Sequence, residues 1–186
     1  MESSFNISQH LGASLKSKQP KERLHLVGHY KFVARRKDGS IKWTEEINNL
    51  IVNTGLNRVL SDVLKGGADG RITTWYIGLK NAGTPAAADT PSSHATWTEN
   101  QNYSESVRQT LTLGTVSGQS VDNSASPAVF SINTNSQTIA GAFLISVSTK
   151  GATTGELFSV GDFGSAKALD SGETLEVTVT FTTADA

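Results

Sequence analysis

Residues 24–43 read LHLVGHYKFVARRKDGSIKW, and this stretch decides the fold. Leu24, Leu26, Gly28, Tyr30, Phe32 and Ala34 fall on one side of an extended chain. Val27, His29, Lys31, Val33 and Arg35 fall on the other, because successive side chains of a strand point to opposite faces. Lys37-Asp38-Gly39-Ser40 follows, and Asp-Gly is a strong hairpin signal because both residues tolerate positive φ. The chain then returns through Ile41 and Trp43. The pattern predicts a β-hairpin with Arg35, Arg36 and Lys37 at its tip.

Outward from the hairpin the alternation recurs. In TLEVTVTFTT, residues 174–183, Leu175, Val177, Val179 and Phe181 share one face, and Glu176, Thr178, Thr180 and Thr182 share the other. Ile72–Leu79, Val107–Leu113, Ala128–Ile132, Thr138–Val147 and Leu157–Val160 read as further strands, and 81–93 as a long loop. One segment has a different period. Leu56, Val59, Leu60, Val63 and Leu64 recur at helical spacing, predicting about three turns with the apolar stripe laid across a sheet. Asn53 or Thr54 is the expected N-cap and Gly66-Gly67 the stop. The expected fold is all-β: an antiparallel β-sandwich (jelly-roll/Ig-like) with one short helix and an extended N-terminal arm. Residues 1–23 form the basic arm and 24–186 the sandwich domain.

Composition agrees with this reading. The 186 residues suffice to bury roughly 70% of the unfolded surface. With 22 Ser and 21 Thr, the polar surface is built largely from hydroxyls, as suits strands. The absence of cysteine excludes disulfides, thiolate metal sites and cysteine nucleophiles. Met1-Glu2-Ser3-Ser4-Phe5 has neither a basic nor an apolar leader region, so no secretory signal is expected. No apolar run approaches ~18 residues, so no membrane span is expected. The net charge of −1 hides an asymmetry: residues 1–42 carry +6 and residues 43–186 carry −7.

Motifs for catalysis do not assemble. Gly118-Gln119-Ser120 lacks the final glycine of a nucleophile elbow, and Asp162-Phe163-Gly164 has none of the kinase motifs that would give it meaning. No phosphate-binding loop or calcium-loop spacing occurs. Glu45 and Glu46 point to opposite strand faces and cannot act jointly as acid and base. His25 and His29, about 13 Å apart along one strand, cannot share a metal. No enzymatic activity, cofactor or metal is expected. Nucleic acid is not the expected partner either, since the acidic body repels phosphate. The candidate contact residues are the cations: Lys16, Lys18, Lys21 and Arg23 on the arm, and Arg35, Arg36 and Lys37 at the hairpin tip.

A longer pattern runs through the rest of the chain. It comprises Asn53-Thr54-Gly55-Leu56-Asn57, Trp75-Tyr76-Ile77-Gly78-Leu79, the stretch from Asp89-Thr90-Pro91 to Trp97-Thr98-Glu99, then Tyr103-Ser104 and Arg108. Val121–Ser126, Gly141-Ala142-Phe143-Leu144 and Gly155–Phe163 complete it. Over roughly residues 45–183 this order resembles a family of structural proteins from tailed bacteriophages. The resemblance implies a virion component made in the host cytoplasm, with a capsid decoration (cement) protein on the shell surface favoured. Such proteins are β-sandwiches that sit on the shell as dimers or trimers and bridge subunits of the major capsid protein. The alternative is a tail- or fibre-associated adaptor, with Trp97 and Tyr103 on its docking surface. A carbohydrate-binding module would instead need an exposed platform built from Trp43, Trp75 or Trp97.

Overall fold

The computed structural model describes residues 24–185. The predicted arm, residues 1–23, lies outside them. Strand β1 (Leu24–Arg35) pairs antiparallel with β2 (Ile41–Ile51) across the predicted hairpin. Only Gly39 in this turn has positive φ, at 82°. The Arg36 N–H donates to Ser40 O, and the Asp38 carboxylate accepts from the Ser40 N–H at 2.9 Å and hydroxyl at 2.6 Å. Of the two turn residues that tolerate positive φ, the tip uses only Gly39 in that conformation.

Helix α1 (Asn53–Leu64) follows β2, then come β3 (Tyr76–Lys80), β4 (Glu99–Asn100), β5 (Gln109–Thr110), β6 (Ser120–Asp122) and β7 (Ala128–Ser131). β8 (Gln137–Ile139), β9 (Gly141–Ile145), β10 (Leu157–Gly161), β11 (Lys167–Leu169) and β12 (Thr174–Asp185) complete the chain. The main sheet runs β4-β3-β9-β10-β2-β1-β12-β6, with β5 also on β3 and β7 also on β12, and every pairing is antiparallel. β2 links two layers: residues 41–48 pair with β1 and residues 49–51 with β10. The all-β sandwich expected from the alternation is the fold observed.

The main core lies between the layers. Tyr30, Phe32 and Ala34 of β1 and Leu175, Val177 and Val179 of β12 meet Ile77 and Leu79 of β3 and Ala142 and Leu144 of β9, all buried. A second core covers the outer face of the β3–β9–β10 layer, where Phe143, Ile145, Leu157 and Val160 pack with Val52 and Trp97. Both faces of β9 are thus buried, which is why GAFLI is an uninterrupted apolar run. Within the main core the Tyr30 hydroxyl pairs with Ser159 Oγ at 3.0 Å.

Several expected strands are shorter. Val107–Leu113 reduces to β5 because the Arg108 N–H bonds Ser148 O while the Leu111 N–H bonds Trp75 O, so the segment serves different partners. Ile72–Leu79 contributes only from Tyr76. Thr138–Val147 divides at Ala140, whose N–H donates to Lys80 O, and β8 pairs with β11 outside the main sheet.

The helix corrects the sequence reading most. Gly55, Arg58 and Ser61 face the body, while Leu56, Leu60, Val63 and Leu64 are 45%, 56%, 71% and 76% exposed. The reason is polar and steric. A Cβ on Gly55 would fall on the Phe158 carbonyl oxygen. Arg58 donates through Nε to Glu156 at 2.7 Å and through Nη1 to Gly70 O at 2.8 Å, and the Ser61 hydroxyl donates to Asp69 at 2.7 Å. These contacts set the rotation and turn the apolar stripe outward. The N-cap is Val52, with no side-chain cap, because the Thr54 hydroxyl donates to Leu157 O instead. Gly66 and Gly67 end the helix at positive φ, as expected.

Two outcomes follow. Helix propensity alone makes Gly55→Ala stabilising by about 1 kcal/mol, whereas the approach to Phe158 makes it destabilising by about 1–3 kcal/mol; urea unfolding should give the second sign. Burial pushes the Tyr30 phenol up to about 12, with the Ser159 hydrogen bond opposing. An unfolded phenol ionises near ~10, so this contribution to stability is complete below that pH and is lost as pH rises toward the folded value. Thermal melts across the alkaline range should show this loss, and Tyr30→Phe should reduce it.

Candidate functional site

The two groups of predicted contact residues fare differently. Lys16, Lys18, Lys21 and Arg23 lie outside the described residues. Arg35, Arg36 and Lys37 do sit together at the hairpin tip, but Arg35 is already engaged. Its Nε donates to Glu176 Oε1 at 2.8 Å and its Nη2 to Oε2 at 3.4 Å, and this carboxylate holds the guanidinium above its ordinary pKa. Arg36 donates to Ile41 O at 2.8 Å, bracing the turn. Arg36 and Lys37 are exposed, and neither pairs with a carboxylate among the described residues. Lys31, also in β1, pairs with Glu46, and Lys42 pairs with Glu173 and Asp170.

β1 fixes the spacing of the two groups. The chain enters the body at Leu24 and reaches the tip at Arg35. Eleven extended steps separate them, about 36 Å. The arm's point of attachment and the hairpin tip are therefore opposite poles of one strand, and the tip cations cannot merge with that attachment point into one patch.

The outer face of the β3–β9–β10 layer holds a partly open cavity of about 200 Å³. Trp97, Phe143, Ile145 and Leu157 line its apolar part, and His94, Glu99 and Arg108 its polar part. Arg108 is only 2% exposed and donates through Nε and Nη2 to the Glu99 carboxylate at 2.9 and 2.8 Å, and through Nη1 to Val147 O at 2.8 Å. Glu99 also accepts from the Gly151 N–H. Trp97 donates its indole N–H to Asp89 at 2.8 Å, and His94 stacks on the Trp97 ring. These polar groups satisfy one another, so the arrangement fastens loops to the sheet. Sequence reading missed this pair, whose members are nine residues apart but meet only because Arg108 points inward from an irregular segment.

Lys80 was missed too. It is fully buried, donating to Asn81 O at 3.0 Å with Asp162 at 3.5 Å, and burial lowers its pKa against the pull of Asp162. Trp97 and Tyr103, named for an adaptor's docking surface, are 3% and 1% exposed and belong to the core. Tyr103 packs edge-on against Phe130, and Lys150 lies 3.7 Å from its ring centre. Trp97 consequently offers no platform to a sugar, and Trp43 and Trp75 are each half-buried against Phe163 and Phe158 respectively.

His29 approaches Glu46 at 4.0 Å, and the described residues contain no group of three His, Asp or Glu placed to hold a metal. Among them, no helix is long and apolar enough to cross a membrane. One exposed apolar surface is one the sequence reading had buried: the outward face of α1. A signal for it was present, since Gly55, Arg58 and Ser61 form a second stripe at three-residue spacing.

These features define a class of protein: an antiparallel β-sandwich with one sheet covered on both faces and an apolar helix face turned to solvent. Compared with protein-family models, curated proteins and solved structures, the chain finds no match.

Removing one member of a buried ion pair strands the other charge, at a cost of about 3–5 kcal/mol. Glu99→Gln should therefore lower the unfolding free energy by that order in a denaturant titration, because Arg108 would be left buried beside a neutral partner.

Proposed function

We propose that this is a capsid decoration (cement) protein of a tailed bacteriophage. In this reading it binds the outer shell without enzymatic activity and bridges neighbouring subunits of the major capsid protein, as a homo-oligomer, dimer or trimer. The order of segments across residues 45–183 suggests the setting. The observation that carries the role is the separation of the arm's attachment from the hairpin tip by the length of β1. A bridge needs two points of contact set apart by a rigid body, and β1 is hydrogen-bonded to β12 along all of its twelve residues. Arg36 and Lys37 would make contact at the tip, and the arm cations Lys16, Lys18, Lys21 and Arg23, which lie outside the described residues, would supply the second contact. Arg35, held by Glu176, would chiefly brace the tip. Contacts through exposed charges weaken with added salt.

The test is the number of copies in purified particles, relative to the major capsid protein. A count close to that of the shell subunits is expected. A handful per particle would assign the chain to the tail and overturn the decoration role, as would its absence. In particles containing Arg36→Glu with Lys37→Glu, release should occur at lower salt than for the natural chain; an unchanged release curve would remove the hairpin tip from the contact.

A further inference from the structure

The cavity of about 200 Å³ on the outer face of the β3–β9–β10 layer is held open by the ion pair at its rim. Arg108 binds Glu99 and Val147 O, and Glu99 in turn accepts from the Gly151 N–H, so one pair ties the 147–151 segment to β4. On the other side the Trp97 indole is fastened to Asp89. A preformed apolar hollow with a few polar groups is the usual form of a small-molecule site. We propose that this cavity binds a small uncharged aromatic ring carrying a hydroxyl group, a phenol.

Size is the first argument. An apolar cavity of about 150 Å³ accommodates benzene, so about 200 Å³ leaves room for one such ring with a substituent. The wall is the second. Trp97 and Phe143, with ring centres 5.3 Å apart, line it together with Ile145 and Leu157. Aromatic rings gain from meeting edge to face beyond the area they bury. A shallower depression lined by Ser92, Ser93 and Ala95 shares His94 and Trp97 with the cavity and supplies the way in.

Charge narrows the class. Apart from the histidine, Glu99 and Arg108 are the ionisable residues of the lining, and they neutralise each other while buried. A charged ligand would have to separate that pair or be buried without a counter-charge, and either is costly. The ligand is therefore neutral. His94 then selects the polar group. Its Nδ1 lies 2.9 Å from Trp97 O, which only accepts, so this nitrogen carries the proton of the neutral imidazole. Nε2 is left as an acceptor with no partner among the described residues, and stacking on Trp97, 4.2 Å between ring centres, holds the imidazole in place. A phenol O–H supplies the matching donor. The inference goes beyond the decoration role and does not depend on it.

The test uses phenol itself, titrated into the natural full-length chain and followed by NMR. Phenol should shift the Trp97 indole N–H and Gly151 amide signals saturably, with a dissociation constant of about 1 mM. It should also show NOEs to the methyl groups of Ile145 and Leu157. Benzoate, a charged ring of similar size, should leave these signals in place. Benzene should bind about tenfold more weakly than phenol, the loss of one hydrogen bond. His94→Phe keeps a ring to stack on Trp97 and should weaken phenol by a similar factor. No saturable shift with phenol would overturn the proposal, as would NOEs to other residues only, or benzoate binding as well as phenol. Equal affinity for phenol and benzene in the natural chain would overturn it too, and that comparison stands even if His94→Phe does not fold. A folded His94→Phe that binds phenol as tightly as the natural chain does is equally an overturning result.

Discussion

Burial of the β3–β9–β10 layer on both faces is the constraint on which the rest of the structure depends. A sheet with one wet face can carry polar side chains there at no cost, but this one has none to spare. Phe143 and Ile145 must be covered, so the segment between β3 and β4 lies over them and places Trp97 against Phe143. That cover brings polar groups into a dry space, where each needs a partner. The indole N–H of Trp97 finds Asp89, Arg108 finds Glu99, and Lys80 finds Asn81 O and Asp162. Gly78 is small for the same reason, since the Phe143 ring occupies the place of a Cβ.

What could be read from the sequence follows this division. β1 and β12 face the core with one side and water with the other, and their strict alternation disclosed both strands, their faces and the hairpin. β9 has no wet face and therefore no alternation, so its boundaries blurred into β8. α1 misled in an instructive way. Periodicity shows that apolar residues share a face, but not that this face docks. Docking was decided by a missing side chain at Gly55 and by Glu156, 98 residues from Arg58, neither of which enters a hydrophobic pattern.

The charge asymmetry behaves likewise. The halves of the sequence are not halves of the molecule, because β1 lies between β2 and β12. Lys31 meets Glu46, Arg35 meets Glu176 and Lys42 meets Glu173, so acids of the later chain neutralise cations of the earlier one. The exposed Lys31–Glu46 pair adds little stability, typically below about 1 kcal/mol, whereas Glu173 is buried beneath Lys42. The pairs' consequence is electrostatic: the described part of the basic front shrinks to Arg36 and Lys37, and the candidate contact surface narrows with it.

A narrow contact is compatible with a bridging role because a shell repeats it. Weak attachments multiplied by symmetry hold through avidity, with each rebinding from a high local concentration. Such attachment places its demand on the body between the contacts. Force applied between the two ends of β1 runs along the strand axis and is carried by that strand's covalent backbone, while its hydrogen bonds to β12 keep the strand extended and seated in the sheet. β1 and β12 are paired from Leu24↔Asp185 to Arg35↔Thr174 without a shift in register. In the proposed role, the element that sets the distance between the two contacts would thus also carry the tension between them.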